Sequence, residues 1–330
     1  MADIMLTIIM SNYNQEQYIR KAIDSVLSQN VNFKYELIIT DDNSQKDNSV
    51  GIIKEYAEKY PEIIKPIFNK ENGGYLKNIL RAKAITKTPY FCLLDADDYY
   101  TDFNFLQRAF DFLQNNQDYI IYYENVTCLY EDGIEKPFIS KRVKSATFGI
   151  DDYLKDCLPI VQTTGQFYRN VIFSKGIPEI MQKSIGTDSE RSFEGDFDRF
   201  IMHLKYGKAY FNNISCGIYR ILSTGIWSKL SSASRHLLQL QCYYDYDRYF
   251  EGLYRKFFIN KMYQVGKCIL SDMNYNILSL QNINITEHML LQFNFLYDFI
   301  ISNKSLIEKQ DHMIIKKMMG KVNHLFRKII

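Results

Sequence analysis

Along the first part of the chain, apolar and polar positions follow two rhythms that take turns. Thr7-Ile8-Ile9-Met10 is a short continuous apolar run, the pattern of a strand buried on both faces. It ends in Ser11-Asn12-Tyr13-Asn14, whose short polar side chains bond nearby backbone and so favour turns and caps. Behind that turn, Ile19, Ala22, Ile23, Val26 and Leu27 recur at helical spacing. The same unit then repeats. A strand from Tyr35 to Thr40 runs into Asp41-Asp42-Asn43-Ser44 and a helix carrying Ile52, Ile53, Tyr56 and Ala57. A strand from Lys65 to Phe68 precedes Asn72-Gly73-Gly74 and a helix from Tyr75 to Ile85. A fourth strand, Tyr90 to Leu94, leads into Asp95-Ala96-Asp97-Asp98-Tyr99-Tyr100, a helix from about Phe103 to Leu113, and another strand at Tyr119 to Tyr123.

This alternation predicts an α/β fold with a mixed, mostly parallel central sheet, right-handed crossovers and helices on its faces. Such sheets bind ligands beyond the carboxyl ends of their strands, where the polar loops of this chain fall. From Glu124 to about Tyr219 the pattern is mixed: Thr163 to Phe173 is strand-like, Asp196 to Tyr206 helical, and Ala209 to Tyr219 strand or loop. After about Ser231 the rhythm is helical almost throughout, with Leu237, Leu238, Tyr244, Phe250 and Leu253, then Phe257, Phe258, Met262, Val265 and Ile269. The predicted division is therefore a catalytic domain over residues 1–230 and a helical extension over residues 231–330.

Composition narrows the function. Of the 330 residues, 46% are hydrophobic and 24% charged, which fits a folded globular chain rather than a disordered one. A formal net charge of +2 is too near balance to draw the chain onto nucleic acid. Six scattered cysteines contain no Cys-x-x-Cys pair, so neither a zinc site nor a disulfide framework is expected, and a reducing cytoplasm fits them. No signal peptide or bilayer-length apolar run is expected either. No Gly-x-Gly-x-x-Gly follows the first strand and no P-loop occurs, which argues against dinucleotide oxidoreductases and P-loop enzymes. The five histidines form no metal motif and read as structural, with His203 on a helix near the expected pocket.

Carboxylates at strand ends carry the chemistry. Asp95 and Asp97 are two residues apart, which places both side chains on one side of an extended segment. Crowded acids at a sheet edge need a compensating partner, and an oxygen-only site that completes its shell with phosphate suits Mn²⁺ or Mg²⁺. Asp97 is the first choice of metal ligand; Asp95 serves the metal or a ribose, and Asp98 braces the loop. Taken alone, the cluster also reads as a capped turn before the next helix. At the neighbouring edge Asp41 and Asp42 can accept an N–H from a base, or simply form an Asx turn. Gly73 and Gly74 free the backbone before a helix whose N-terminus favours phosphate. Asp196 opens a predicted helix with Phe200, Ile201 and Leu204 on its inner side, and a carboxylate held there can take a proton from a hydroxyl. Asp198 and Glu194 compete for that role, and an N-cap is the plain alternative. Arg220, beside Ser223-Thr224-Gly225, can clamp a diphosphate, with Arg169 a second candidate. Trp227, the only tryptophan, can stack on a sugar or pack in a core.

In this order, the segments Ile8 to Gln29, Asp41 to Ser44, Asn72 to Asn78, Leu94 to Tyr100, the acids around Asp196, and Tyr219 to Ser228 resemble the family 2 glycosyltransferases. The resemblance covers about two thirds of the chain and implies a GT-A nucleotide-sugar-binding fold. It implies that Asp42, and Asp41 beside it, contact the nucleobase, that Asp95 meets the ribose or the metal shell, that Asp97 is the principal metal contact, and that Asp196 is the base. Asn12, Asn14, Gly73, Asn78, Arg220 and Trp227 are assigned with them to the donor site. Gly195 stands where the family often has glutamate, and Leu222 where it often has histidine.

The implied activity is metal-dependent, inverting transfer of a hexose or N-acetylhexosamine from a UDP-sugar to a hydroxyl of a growing glycan or lipid-linked saccharide. Two alternatives are a nucleotidyltransferase, which should carry a glycine-rich phosphate loop after the first strand, and a non-catalytic carbohydrate-binding or assembly protein on the same fold. The basic terminal segment, with Met313, Ile314, Met318, Val322, Leu325 and Phe326 among its lysines, predicts either an amphipathic helix on an anionic membrane surface or a helix packed on protein. A cytoplasmic protein, peripheral on the inner face of the plasma membrane, is the corresponding expectation.

Overall fold

Leu6, Ile8, Ile9 and Met10 are fully shut off from solvent because their strand is flanked on both edges and covered on both faces. In the computed structural model, which describes residues 3–193, 195–225, 228–276 and 287–307, this strand is β1 (Ile4–Asn12). The expected alternation follows it: α1 (Glu16–Leu27), β2 (Lys34–Asp41), α2 (Ser49–Lys59), β3 (Ile64–Phe68), α3 (Tyr75–Ile85) and β4 (Tyr90–Asp95). α1 buries Ile19, Ala22, Ile23 and Val26, the stripe its spacing foretells. Each fully buried Leu or Ile of this kind contributes roughly 1.5–3 kcal/mol.

β1 pairs in parallel with β2 and β4, and β2 with β3. The register sets Asn12 opposite Asp41 and Ser11 opposite Asp95, so the polar strand ends share one edge. Beyond β4 come the short β5 (Tyr99–Tyr100), α4 (Phe105–Asn115), β6 (Tyr119–Tyr130), β7 (Glu135–Pro137), β8 (Ala146–Phe148), α5 (Ile150–Leu154), β9 (Gln166–Arg169), α6 (Glu179–Ser184), α7 (Asp196–Leu204) and β10 (Lys208–Ile221). The sheet order is β3-β2-β1-β4-β9-β6-β10-β5, with β7 on β6 and β8 on β10. β9 lies antiparallel between β4 and β6, and β10 is parallel to β6, so the sheet is mixed. β10 approaches β5 closely at Gly217, where a Cβ would meet the Tyr99 carbonyl at 2.7 Å.

Two expectations shift. Thr163 to Phe173 is strand only at β9, framed by 3-10 turns at Thr163–Gly165 and Phe173–Lys175. β6 runs on past Tyr123 to Tyr130, through the buried polar residues Glu124 and Asn125.

The chain divides into two compact units, Met1–Ile185 with Glu194–Ser228, and Gly186–Phe193 with Lys229–Ile330. The second holds α8 (Ser232–Tyr249), α9 (Arg255–Asn276) and α10 (Glu287–Ser302), packed around Leu240, Ile259, Met262, Phe293, Leu296 and Ile300. Its short leading segment is pinned by buried Asp245, which accepts from Ser189 Oγ at 2.9 Å, Ser192 Oγ at 2.8 Å and Gln241 Nε2 at 3.0 Å. The six cysteines are free thiols. Among the described residues, no helix is long and apolar enough to cross a membrane. Glu194, Trp227 and the basic segment from Lys309 onward lie outside the described residues.

Candidate active site

The first loop, after β1, is organised by Asp41. Its carboxylate accepts from Asn12 Nδ2 at 2.6 Å, Ser44 Oγ at 2.5 Å and the Ser44 N–H at 2.9 Å. Asn14, with φ 52°, donates its N–H to Ser44 Oγ at 2.8 Å and accepts from the Lys46 N–H at 3.0 Å. Asn12 Oδ1 is buried and has no partner among the described residues, an acceptor left over at the edge of the sheet.

Asp42 works on the other loop. Its two oxygens take the N–H groups of Gly73 and Gly74 at 3.0 and 2.9 Å, and Asn69 Nδ2 lies at 3.4 Å. Gly74 enters α3 at φ 84°, a conformation that glycine reaches without strain. Asn78 is buried and ties α3 to β2: Oδ1 accepts from Thr40 Oγ1 at 2.6 Å and from Asn69 Nδ2 at 2.7 Å, and Nδ2 donates to the Thr40 carbonyl at 3.0 Å. Asp42 and Asn78 therefore shape the loop walls, with their carboxylate and amide already engaged.

The acids after β4 divide by environment. Asp98 is buried and saturated: Gln162 Nε2, Thr164 Oγ1 and the Arg220 N–H each donate to it at 2.9 Å. Burial, with the Asp97 and Asp95 charges, raises its pKa well above the ordinary value. Asp98 thus stitches the β4–β5 turn to the Thr163 loop and to β10. Asp95 accepts from Ser11 Oγ at 2.9 Å and Tyr75 Oη at 3.2 Å. Asp97 receives no donor but its own backbone among the described residues, and burial with Asp95 beside it pushes its pKa up to about 6. Two neighbouring carboxylates, of which Asp97 lacks outside donors among the described residues, fit a hard divalent cation. Among the described residues no three His, Cys, Asp or Glu side chains form a closed cage, so water and substrate oxygens would complete the shell.

Arg220 stands beside this pair. Its Nε donates to the Asp97 carbonyl at 2.6 Å, and its guanidinium lies 4.9 Å from the Tyr18 ring and 5.0 Å from the Tyr99 ring. Stacked this way, the guanidinium has terminal nitrogens with no hydrogen-bond partner among the described residues. Arg169 is placed elsewhere. It opposes Tyr90 at the amino end of β4 and donates to the Leu113 carbonyl at 2.5 Å, which binds it to the end of α4.

Asp196 begins α7 with its side chain 31% exposed. Its Oδ1 accepts from Thr163 Oγ1 and from Arg199 Nη2, the latter at 3.0 Å. Burial raises its pKa, while the Arg199 charge and the Thr163 hydroxyl hold it down. Asp198, the competing acid, is buried, and neither oxygen has a partner among the described residues. His203 is also buried, its Nδ1–H donating to the Arg199 carbonyl at 2.6 Å, and desolvation holds its pKa down to about 3. It is neutral at any working pH.

Two tyrosines link the halves of the site. Tyr75, bonded to Asp95, also feels the charges of Asp196 and Arg199. Burial raises the pKa of Tyr219 on β10, and the charges of Asp196, Asp98, Asp95 and Asp97 add to it. The strand-end acids and Asp196 thus face one neighbourhood. Hydrophobic periodicity does not single out Thr163, Tyr75 or Arg199.

Comparison with known proteins gives the family and the fold. The sequence profile described as Glycosyl transferase family 2 matches residues 7–176, just over half of the chain. The uncharacterized protein Rv1520 of Mycobacterium tuberculosis is 35% identical over 128 residues, 39% of this chain and 37% of that protein. The minor teichoic acid biosynthesis protein GgaA of Bacillus subtilis is 36% identical over 117 residues, 34% of this chain and 26% of that protein. The chain thus spans well under two thirds of the length of these relatives. Among solved structures, S. aureus TarS in complex with UDP-GlcNAc superposes with a TM-score of 0.62 at 14% identity, covering 98% of this chain and 92% of that one. The chain has the GT-A fold and shares it with that protein.

Proposed function

We propose a specific reaction from one premise: this chain belongs to glycosyl transferase family 2. The reaction is inverting transfer of a hexose or N-acetylhexosamine from a UDP-sugar to a hydroxyl of a growing glycan or glycolipid. The observation that carries it is the convergence on Tyr75 and Tyr219 of the β4 acids and the separate acid Asp196. One set suits the diphosphate side of a donor and the other the incoming alcohol.

The nucleotide would lie over the loops built by Asp41 and Asp42, with the unpartnered Asn12 Oδ1 offered to a base N–H. UDP is our choice because a protein of the same fold was captured with UDP-GlcNAc. Asp97, with Asp95 beside it, would hold Mn²⁺ or Mg²⁺, whose charge offsets that of the departing diphosphate. Arg220, adjacent to Asp97 and stacked on tyrosines, adds a second positive charge there.

Asp196 takes the proton of the acceptor hydroxyl. As that proton leaves, the acceptor oxygen forms its bond to the anomeric carbon from the face opposite the nucleotide, and the bond to the diphosphate oxygen breaks with its electron pair going to UDP. The product carries the opposite anomeric configuration. Partial exposure suits Asp196 to this role, and full burial disfavours Asp198. The resemblance to GgaA supports a cell-wall polymer as the acceptor class.

A screen of UDP-sugars with manganese, read by UDP release and by the mass of any glycosylated lipid or oligosaccharide, tests the reading. Release from one UDP-sugar with an inverted product is expected. No release from any of them, or retention of configuration, overturns it.

A further inference from the structure

Arg199 is 1% exposed on α7, a helix whose residues from Asp198 to Leu204 are all buried. Burying a guanidinium costs several kcal/mol unless its charge is met, and an apolar residue there would pack at least as well. Its surroundings meet that charge unevenly. Nη2 donates to Thr163 Oγ1 at 2.6 Å and to Asp196 Oδ1 at 3.0 Å, whereas Nε has no partner among the described residues. Asp198 adds negative charge from the same helix, and Lys83 opposes it from α3, its Nζ buried without a hydrogen bond 4.4 Å from the Phe173 ring. An arrangement with so many uncommitted polar atoms is poor economy for stability alone. Its one complete feature is the three-way contact of Arg199, Thr163 and Asp196.

We propose that Arg199 is the positioning residue of the Asp196 carboxylate: with Thr163 it grips Oδ1 from inside the protein and leaves Oδ2 as the oxygen that receives the acceptor's proton. This rests on the reading of Asp196 as the base. Both side-chain donors go to Oδ1, and Asp196 is the partly exposed member of the trio. The grip also favours the ionised carboxylate. Against it stand burial and the Asp95 charge from β4, with Asp198 on α7, Tyr75 on α3, Tyr168 on β9 and Tyr219 on β10 also facing the group. Arg199, the Thr163 hydroxyl and the Thr163 N–H favour the charged form. Without them the pKa of Asp196 climbs, and the base is protonated where it should be free.

The test uses the full chain with manganese and UDP-GlcNAc, or the UDP-sugar found active in the screen, and reads UDP release from pH 5 to 9 alongside UDP affinity. Arg199→Met should lower kcat about 100-fold at neutral pH, the scale of a misplaced general base, and move the acid limb of the profile to higher pH. UDP affinity should stay within about twofold, since the defect is in the base and not in donor binding. Arg199→Lys, which keeps the charge, should restore most of the acid limb. Thr163→Val should cost about 10-fold, the worth of one hydrogen bond to a charged group. Carbon-13 titration of the aspartate carboxyls, with the Asp196 signal identified by its loss in Asp196→Asn, reads the same shift without turnover. An unmoved Asp196 titration and acid limb in Arg199→Met overturn the inference while the base reading stands. If Arg199→Met does not fold, Thr163→Val with a wild-type rate and limb does the same. An Asp196→Asn variant that turns over normally removes the base reading itself.

Discussion

At the scale of the residue, the aspartates of this site differ less in type than in how many donors already hold them. Asp41, Asp42 and Asp98 have their oxygens occupied by loop N–H groups, amides and hydroxyls, so their first consequence is the shape of the loops. Asp97 has no such partners, and with a pKa raised to about 6 by burial and by Asp95 it is the group whose proton competes with a cation. The sign follows directly. Above pH 6 the carboxylate is free to bind; below it each further unit of acidity should weaken Mn²⁺ binding about tenfold. Titration of Mn²⁺ by electron paramagnetic resonance from pH 7.5 to 5 checks this, and Asp97→Asn should both weaken binding and flatten the dependence. Asp97→Ala should abolish metal-dependent turnover. Asp196→Asn should behave differently, because it removes the proton acceptor and spares the donor loops. UDP affinity should be retained while transfer falls by about 100-fold or more, read by calorimetry and product mass on the same preparation.

At the scale of the element, the loop before α3 depends on one glycine. Gly74 adopts φ 84° and hands its N–H to Asp42 at 2.9 Å. Gly74→Ala should cost about 1–3 kcal/mol, the penalty of a Cβ at positive φ with ψ 166°, and so lower Tm by a few degrees in a calorimetric scan. UDP affinity should fall with it, since the turn and the start of α3 move together. The elements before β5 were legible in the sequence for a simple reason. Strands buried on both faces are written as unbroken apolar runs, and their polar ends stand out as turn residues. β6 beyond Tyr123 was not legible, because its continuation is polar: Glu124 is buried by virtue of Arg108, whose Nε and Nη2 lie 3.0 and 2.8 Å from its oxygens, and of Tyr122 Oη at 2.6 Å. Hydrophobicity cannot show a strand whose burial rests on an ion pair formed in the fold. The site divides in the same way. Asp41, Asp42, Asp95 and Asp97 are visible as strand ends, whereas the bonds of Asp196 to Thr163 and Arg199 exist only once the 3-10 turn before β9 meets α7.

At the scale of the whole molecule, the chain contains two cores with different duties. Every candidate site residue that the structure describes falls in the unit made of Met1–Ile185 and Glu194–Ser228. The helical unit has a core of its own around Leu240, Ile259, Met262 and Leu296, and a buried anchor in Asp245 that ties Gly186–Phe193 to α8. That segment immediately precedes Glu194 and α7 in the chain. Damage to the helical core should therefore appear as lost stability, and damage to donor binding should not accompany it. Leu240 is fully buried at the centre of that core, and Leu240→Ala should cost about 2–5 kcal/mol through lost transfer energy and the cavity left behind. Denaturant unfolding followed by circular dichroism reads the loss, and calorimetry with UDP well below the transition should return an affinity within about twofold of the parent. A parallel fall in UDP affinity at that temperature would show that the nucleotide loops depend on the helical core as well as on Asp41, Asp42 and Gly74.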